Sequence, residues 1–221
     1  MGTIAMVGGG RYEDGEIFPV IKHIVSLAGK AEPNVLFVPT AGFDYIIGDE
    51  CIFDLFRQCG AKVGNLFLTD TRLTKADIER KIMSADIIYV GGGNLKFLMD
   101  TWKRTGADKV FRKAYEKGVI LSGYSSGAMC WCDEGWDDCG ENHSFMFIDC
   151  TGILPYCCAP HYDSDSWHAF KDAIKTRTKQ GLAIDNGAAV VFRDDEIYTL
   201  CGDDGGKVYY LDNNGVEAEI K

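Results

Sequence analysis

The stretch Val119-Ile120-Leu121-Ser122-Gly123-Tyr124-Ser125-Ser126-Gly127-Ala128-Met129-Cys130-Trp131 reads as a strand, a tight glycine-flanked turn and a helix. Residues 119–122 form a short apolar run of the kind that fills a buried strand, and residues 128–131 continue as a helix. The same alternation recurs on either side. Upstream, residues 3–7 make a strand ending in Gly8-Gly9-Gly10, and residues 17–27 carry Val20, Ile21, Ile24, Val25 and Leu27 on one helical face. Residues 35–38 form a second strand, stopped by Pro39, and residues 50–59 a helix closed by Gly60. A third strand over 62–68 leads to Thr74 and Asp77, spaced as a capping box, which open a helix through Met83. Residues 87–90 are a strand running into Gly91-Gly92-Gly93, and helices follow over 94–102 and 107–116. A β-α-β-α rhythm of this kind implies an α/β fold, a doubly wound, mostly parallel sheet with helices on both faces. Downstream, residues 166–175 read as a helix. Residues 188–192, 196–201 and 207–211 read as strands of an antiparallel meander at one edge of the same domain. No repeat or linker interrupts the chain, so one domain is expected over residues 1–221.

Bulk properties narrow the function classes. With 46% hydrophobic and 25% charged residues, the composition is that of a protein with a packed core. A net charge of −10 repels nucleic acid at long range and argues against it as a partner. The nine cysteines are odd in number and follow no secretory signal, so they read as reduced thiols of a cytoplasmic protein. The opening Met1-Gly2 is superficially like an acylation signal, but position 6 is Met6 rather than Ser or Thr. No apolar run is long enough to cross a bilayer, so no membrane association is expected.

The motif Gly123-Tyr124-Ser125-Ser126-Gly127 fits G-x-S-x-G in the strand–turn–helix setting of a nucleophile elbow. Serine needs a base, and the chain has four histidines. His23 falls on an amphipathic helix, His143 in a polar loop and His168 on a helix surface. His161 follows Pro160 where an extended segment meets a loop, the usual place for a catalytic group in an α/β sheet. For the acid that orients the base, Asp185 lies at an apolar-to-turn boundary; Asp133, Glu134, Asp137 and Asp138 are its rivals. Oxyanion donors are expected from the backbone of Ser126 and of Gly92 or Gly93. A phosphate-binding reading of the glycine runs lacks both G-x-G-x-x-G with a fitting helix and a G-x-x-x-x-G-K-[ST] motif. Cys130, Cys132 and Cys139 lack the C-x-x-C spacing of a zinc site, so they read as buried thiols and no metal is expected. Trp131, Trp136, Phe145 and Phe147 read as core or a dimer surface rather than a substrate shelf.

Four blocks together resemble the peptidase E family (peptidase family S51), which includes aspartyl dipeptidases and cyanophycinases. They are Ile87-Ile88-Tyr89-Val90-Gly91-Gly92-Gly93-Asn94, Gly123-Tyr124-Ser125-Ser126-Gly127-Ala128, Pro160-His161-Tyr162 and Gly181-Leu182-Ala183-Ile184-Asp185. The resemblance implies a fold akin to class I glutamine amidotransferases, a serine nucleophile at Ser125 and a histidine at His161. The family's acid, often Glu, falls on Asp185 or, with a one-residue shift, on Asn186. Asp185 is the expected member because a carboxylate stabilises imidazolium. The arginine by which aspartyl dipeptidases hold an N-terminal aspartate has no counterpart in residues 163–171, which instead add Asp163 and Asp165. Asp-X specificity therefore does not carry over, unless Lys171 or Arg177 replaces that arginine. An acidic rim favours a free amino group or a basic substrate. The implied activity is hydrolysis of short peptides through an acyl-enzyme, without a cofactor, by a monomer or homodimer. An esterase or amidase acting on a non-peptide compound, and a catalytically idle binding protein, are the alternatives.

Overall fold

In a computed structural model, which describes residues 2–46 and 48–221, the chain forms two sheets. Met1, part of the stretch weighed as an acylation signal, lies outside the described residues. The first half alternates β1 (Thr3–Val7), α1 (Phe18–Ser26), β2 (Asn34–Val38), α2 (Glu50–Gln58), β3 (Lys62–Asn65), α3 (Lys75–Met83) and β4 (Ile87–Val90). It continues through α4 (Leu95–Thr105), α5 (Ala107–Glu116), β5 (Ile120–Tyr124) and α6 (Ser126–Met129). The second half holds β6 (Cys132–Asp137), β7 (Met146–Asp149), β8 (Leu154–Ala159), α7 (Phe170–Ala173), β9 (Gly181–Ile184), β10 (Ala188–Arg193), β11 (Glu196–Cys201), β12 (Val208–Leu211) and β13 (Glu217–Ile220).

The first sheet has the order β11-β10-β1-β5-β4-β2-β3. Its β1, β5, β4, β2 and β3 run parallel, and the β10–β11 hairpin adds antiparallel to β1. Both faces are covered, as a parallel sheet requires. Alternate residues Ala5, Val7, Val35, Phe37, Ile87 and Tyr89 pack under Val20, Ile21 and Ile24 of α1 and Ile52, Phe53 and Phe56 of α2. Their neighbours Ile4, Met6, Leu36, Val38, Ile88 and Val90 face Ile78 and Ile82 of α3, Leu98 and Trp102 of α4 and Phe111 of α5. The doubly wound α/β expectation therefore holds. The capping box is formed: Asp77 N–H donates to Thr74 Oγ1 at 3.1 Å, and Thr74 N–H to Asp77 Oδ2 at 3.2 Å.

Three sequence expectations change. The helix after Ser125 stops at Met129 instead of reaching Trp131. The carbonyl of Cys130 accepts from Thr151 N–H, and that of Trp131 from Ile153 and Leu154, which turns the chain into β6. Residues 166–175 are no continuous helix but a 3-10 turn, the single turn α7 and a second 3-10 turn. The C-terminal meander is split. Only β10, beside β1, and β11, beside β10, join the first sheet; β12 joins a second sheet ordered β13-β12-β9-β8-β6-β7. Residues of that sheet, Leu154, Cys158, Leu182 and Ile184, enter the core on the α4–α5 side of the first sheet.

Candidate active site

The site lies outside the carboxyl ends of β1, β4 and β5, where an open α/β sheet leaves backbone free to approach a ligand. Ser125 sits at φ 55° and ψ −121°, a conformation that side chains other than hydrogen rarely take. Packing holds it there. Ser125 N–H donates to Val7 O at 3.1 Å, and Ser122 Oγ to Ala5 O at 2.8 Å, so the elbow is stitched to β1 on both sides of the turn.

His161 follows β8 and Pro160 at φ 52°. Its loop is fixed by Tyr162 N–H on Ile184 O at 3.1 Å and Ser164 N–H on His161 O at 2.9 Å. The imidazole Nε2 stands 2.9 Å from Ser125 Oγ, and the Trp167 ring packs on it with centroids 5.3 Å apart. The two residues singled out for nucleophile and base are thus brought together.

Asp185 is not the third member. Its Oδ2 accepts the N–H of Lys207 at 3.0 Å, and burial pushes its carboxyl up from the ordinary range. Lys207 holds Asp185 on the β12 side, and it is Asn186, in the turn that follows β9, that meets the histidine, with Oδ1 2.7 Å from His161 Nδ1. Asn186 donates both its N–H, at 2.8 Å, and its Nδ2–H, at 2.9 Å, to Asp163 Oδ1. The rival acids are placed otherwise. Asp133 pairs with Lys179, and Glu134 lies 3.3 Å from Arg177. Asp137 and Asp138 line the cavity in front of the serine.

The glycine runs explain themselves by close approach. A Cβ on Gly92 would stand 3.1 Å from Ser125 Cβ, so the Gly91-Gly92-Gly93 loop passes directly over the nucleophile. Ser126 Oγ donates to Gly93 O at 2.5 Å and ties the two expected oxyanion segments to one another. A Cβ on Gly9 would meet Asn186 Oδ1 at 2.3 Å and His161 Cε1 at 2.5 Å. The first glycine run is therefore the wall behind the histidine rather than a phosphate cradle.

The cavity has a volume of about 470 Å³ and contains Ser125, His161 and Gly93, with Trp167, Asp137 and Asp138 on its walls. Among the described residues, no Lys or Arg lines it. Asp137 is 2% exposed; it accepts Leu95 N–H at 3.2 Å and faces Ser126 Oγ at 3.3 Å. Burial, then the neighbouring Asp138 carboxyl, pushes it up to about 7. The cations considered as aspartate anchors are elsewhere: Lys171 pairs with Glu217 at 3.3 Å, and the Arg177 guanidinium lies 3.9 Å over the Phe147 ring. His23 bonds the Tyr198 hydroxyl, and His143 and His168 are exposed. Cys130 and Cys132 are fully buried, and among the described residues no group of His, Cys, Asp or Glu is arranged to hold a metal ion. Trp136 stacks on Phe145 and meets Trp167 edge-on, so the aromatic stretch backs the cavity wall. Gly9 and Trp167 were not singled out as site residues from sequence; Asn186 was signalled by the one-residue shift of the family motif, and Asp163 was read as part of an acidic rim rather than as a partner of Asn186.

A serine on a strained strand-to-helix elbow, with an imidazole at hydrogen-bond distance above a parallel sheet, is the arrangement expected of a serine-type hydrolase built on an α/β fold. The family model for peptidase family S51 matches residues 4–200, and the chain belongs to that family. It is 32% identical over 211 residues to the uncharacterized peptidase YgaJ of Bacillus subtilis, covering 93% of this chain and 90% of that protein. A second relative, the uncharacterized peptidase Lin0382 of Listeria innocua, is 26% identical over 196 residues, 80% of this chain and 91% of that one. Among solved structures, a peptidase from an acI-B1 Actinobacterium superposes with a TM-score of 0.74 at 23% identity, covering 100% of this chain and 94% of that one. A putative peptidase E protein from Listeria monocytogenes gives 0.71 at 21% identity, with 91% and 98% covered. The protein is a serine-type peptidase of this family. Among the described residues, no helix is long and apolar enough to cross a membrane.

Proposed function

We propose that the chain hydrolyses short peptides through an acyl-enzyme on Ser125. The observation that carries this reading is the 2.9 Å contact between His161 Nε2 and Ser125 Oγ at the elbow. In the first step the Ser125 oxygen attacks the scissile carbonyl carbon while its proton passes to His161 Nε2. The negative charge on the carbonyl oxygen is taken by backbone N–H groups of Ser126 and of Gly92 or Gly93. The imidazolium then gives its proton to the leaving amine; water, deprotonated by the same nitrogen, attacks the acyl carbon, and Nε2 returns that proton to Ser125 Oγ as the acyl–oxygen bond breaks and the acid is released. Asn186 orients the ring through Nδ1, as an amide does in cysteine peptidases with a Cys-His-Asn set. The cavity of about 470 Å³ suits a small substrate, and its acidic wall, Asp138 with the partly protonated Asp137 and no lining cation among the described residues, favours a positively charged group over an aspartate.

Fluorophosphonate labelling tests the reading. The wild-type protein should be modified at Ser125 and Ser125→Ala should not. A panel of dipeptides and tripeptides should be cleaved in preference to small esters. Absence of labelling in folded wild-type protein would sink the hydrolytic reading, and ester turnover without peptide turnover would move it to a non-peptide substrate.

A further inference from the structure

An amide in place of the triad carboxylate raises a question of orientation. Asn186 presents an oxygen on one side and an NH2 on the other, and only the oxygen can accept a proton from His161 Nδ1. With the amide reversed, Nδ2–H would face Nδ1, the ring proton would move to Nε2, and Nε2 could no longer accept from serine. Nothing in Asn186 itself chooses between the two.

The choice is made one residue further out. Asp163 Oδ1 accepts from Asn186 Nδ2 at 2.9 Å and, at the same time, from Asn186 N–H at 2.8 Å. A carboxylate offers no proton, so the side of the amide that faces it must be the NH2. The oxygen is then turned to His161, where it stands 2.7 Å from Nδ1. Nδ1 must carry the hydrogen, which leaves Nε2 as the acceptor for Ser125 Oγ at 2.9 Å. We infer that Asp163 is a positioning residue that sets the histidine tautomer through Asn186, as the last of four side chains in the row Ser125–His161–Asn186–Asp163. This rests on the proposed serine mechanism and adds the group that makes an uncharged triad member workable. Its negative charge also polarises the amide, strengthening the oxygen as an acceptor when imidazolium forms. Asp163 follows His161 by two residues, so the loop that delivers the base also delivers the group that orients its partner.

The experiment compares wild type, Asp163→Asn, Asn186→Asp and the exchanged pair Asp163→Asn with Asn186→Asp. Three readouts are used: fluorophosphonate labelling rate, kcat and KM on a cleaved peptide, and the His161 tautomer from nitrogen-15 NMR. Asp163→Asn should lower kcat and labelling about ten- to hundredfold with KM nearly unchanged, since a full tautomer fault in a serine triad costs about 10⁴. Its spectrum should gain the Nε2–H tautomer. In the Asn186→Asp background the sign should reverse. Two carboxylates would then face each other, and Asp163→Asn should raise activity, because the new amide donates to the new acid. A merely structural loop contact would lower activity alike in both backgrounds, and that result, or an unchanged tautomer, overturns the inference. If wild-type Ser125 resists the probe while the tautomer still shifts in Asp163→Asn, the serine mechanism falls and the role of Asp163 stands. Should Asp163→Asn not fold, Asp163→Glu, which keeps the charge but displaces it, gives the same tautomer comparison.

Discussion

Gly9 has no side chain, and the space that a Cβ would need is already filled by Asn186 Oδ1 and the His161 ring, at 2.3 Å and 2.5 Å. Gly9→Ala should therefore displace the histidine rather than unfold the chain. The expected result is a loss of labelling of about tenfold or more, with the thermal midpoint changed far less than by a core substitution. Asp137 carries a different prediction. Its carboxyl is pushed up to about 7 by burial and Asp138, whereas in the unfolded chain it releases its proton near the ordinary value of 3.8. Between those two values the native state binds the extra proton, so this group makes stability fall as pH rises from about 4 to about 7. Asp137→Asn removes that slope. Denaturant unfolding at pH 4, 6 and 8 should show the variant gaining on wild type with pH, by on the order of 1–3 kcal/mol at the top of the range. Parallel stability curves for the two chains would refute this. The serine and histidine were legible in sequence because each sits beside its own local signal, the glycine-flanked elbow and the end of an extended run. The orienting group was not, since a carboxylate was preferred on charge and the side of the strand that Asp185 faces depends on a register no local pattern states.

At the level of elements, Asp185 belongs to the junction of β9 with β12. Its carboxylate accepts Lys207 N–H, and its own N–H donates to Lys207 O at 2.9 Å. Asp185→Ala should cost about 1–2 kcal/mol through the unpaired amide while Ser125 stays reactive to the probe. Asn186→Ala should do the reverse, lowering the labelling rate about a hundredfold or more with little loss of stability. Equal labelling losses in the two variants would restore Asp185 to the site. Far from the cavity, Thr74→Ala should cost about 1 kcal/mol by removing the cap of α3, leaving peptide turnover untouched. That helix was readable at both ends, because caps act within one turn. The short α6 was not readable at its end. The carbonyls of Cys130, Trp131 and Cys132, which would have continued it, are claimed by residues 151–154, some twenty positions along the chain, so its length is a tertiary matter.

Across the whole molecule, charge and shape bear on what enters the site. The chain carries a net charge of −10, and Glu16, Asp163, Asp185 and Asp204 border a second cleft beside the Asn186 side of the site. Among the described residues that line this cleft the cation is Arg11, and its guanidinium is engaged with Asp14 and Asp204. Peptides with a basic residue, or with a neutral residue at a free amino terminus, should therefore show higher kcat/KM than peptides beginning with aspartate, whose side chain adds a negative charge. The advantage should shrink as ionic strength is raised from about 0.01 M to about 0.5 M, as screening shortens the reach of the field. Faster cleavage of aspartyl dipeptides, or a salt-independent ratio, would contradict this.

Periodicity and punctuation alone determined that the chain alternates strand and helix, that the sheet is parallel and doubly covered, and that Ser125 sits on an elbow. These follow from contacts a few residues apart, which the chain carries in its local order. Only the folded molecule decided that residues 132–159, 181–184 and 208–220 build a second sheet while β10 and β11 between them join the first, that Asn186 rather than Asp185 meets His161, and that Asp163 stands behind it. Those depend on which strands pair and in what register, and pairing between distant segments is set by the core they bury together.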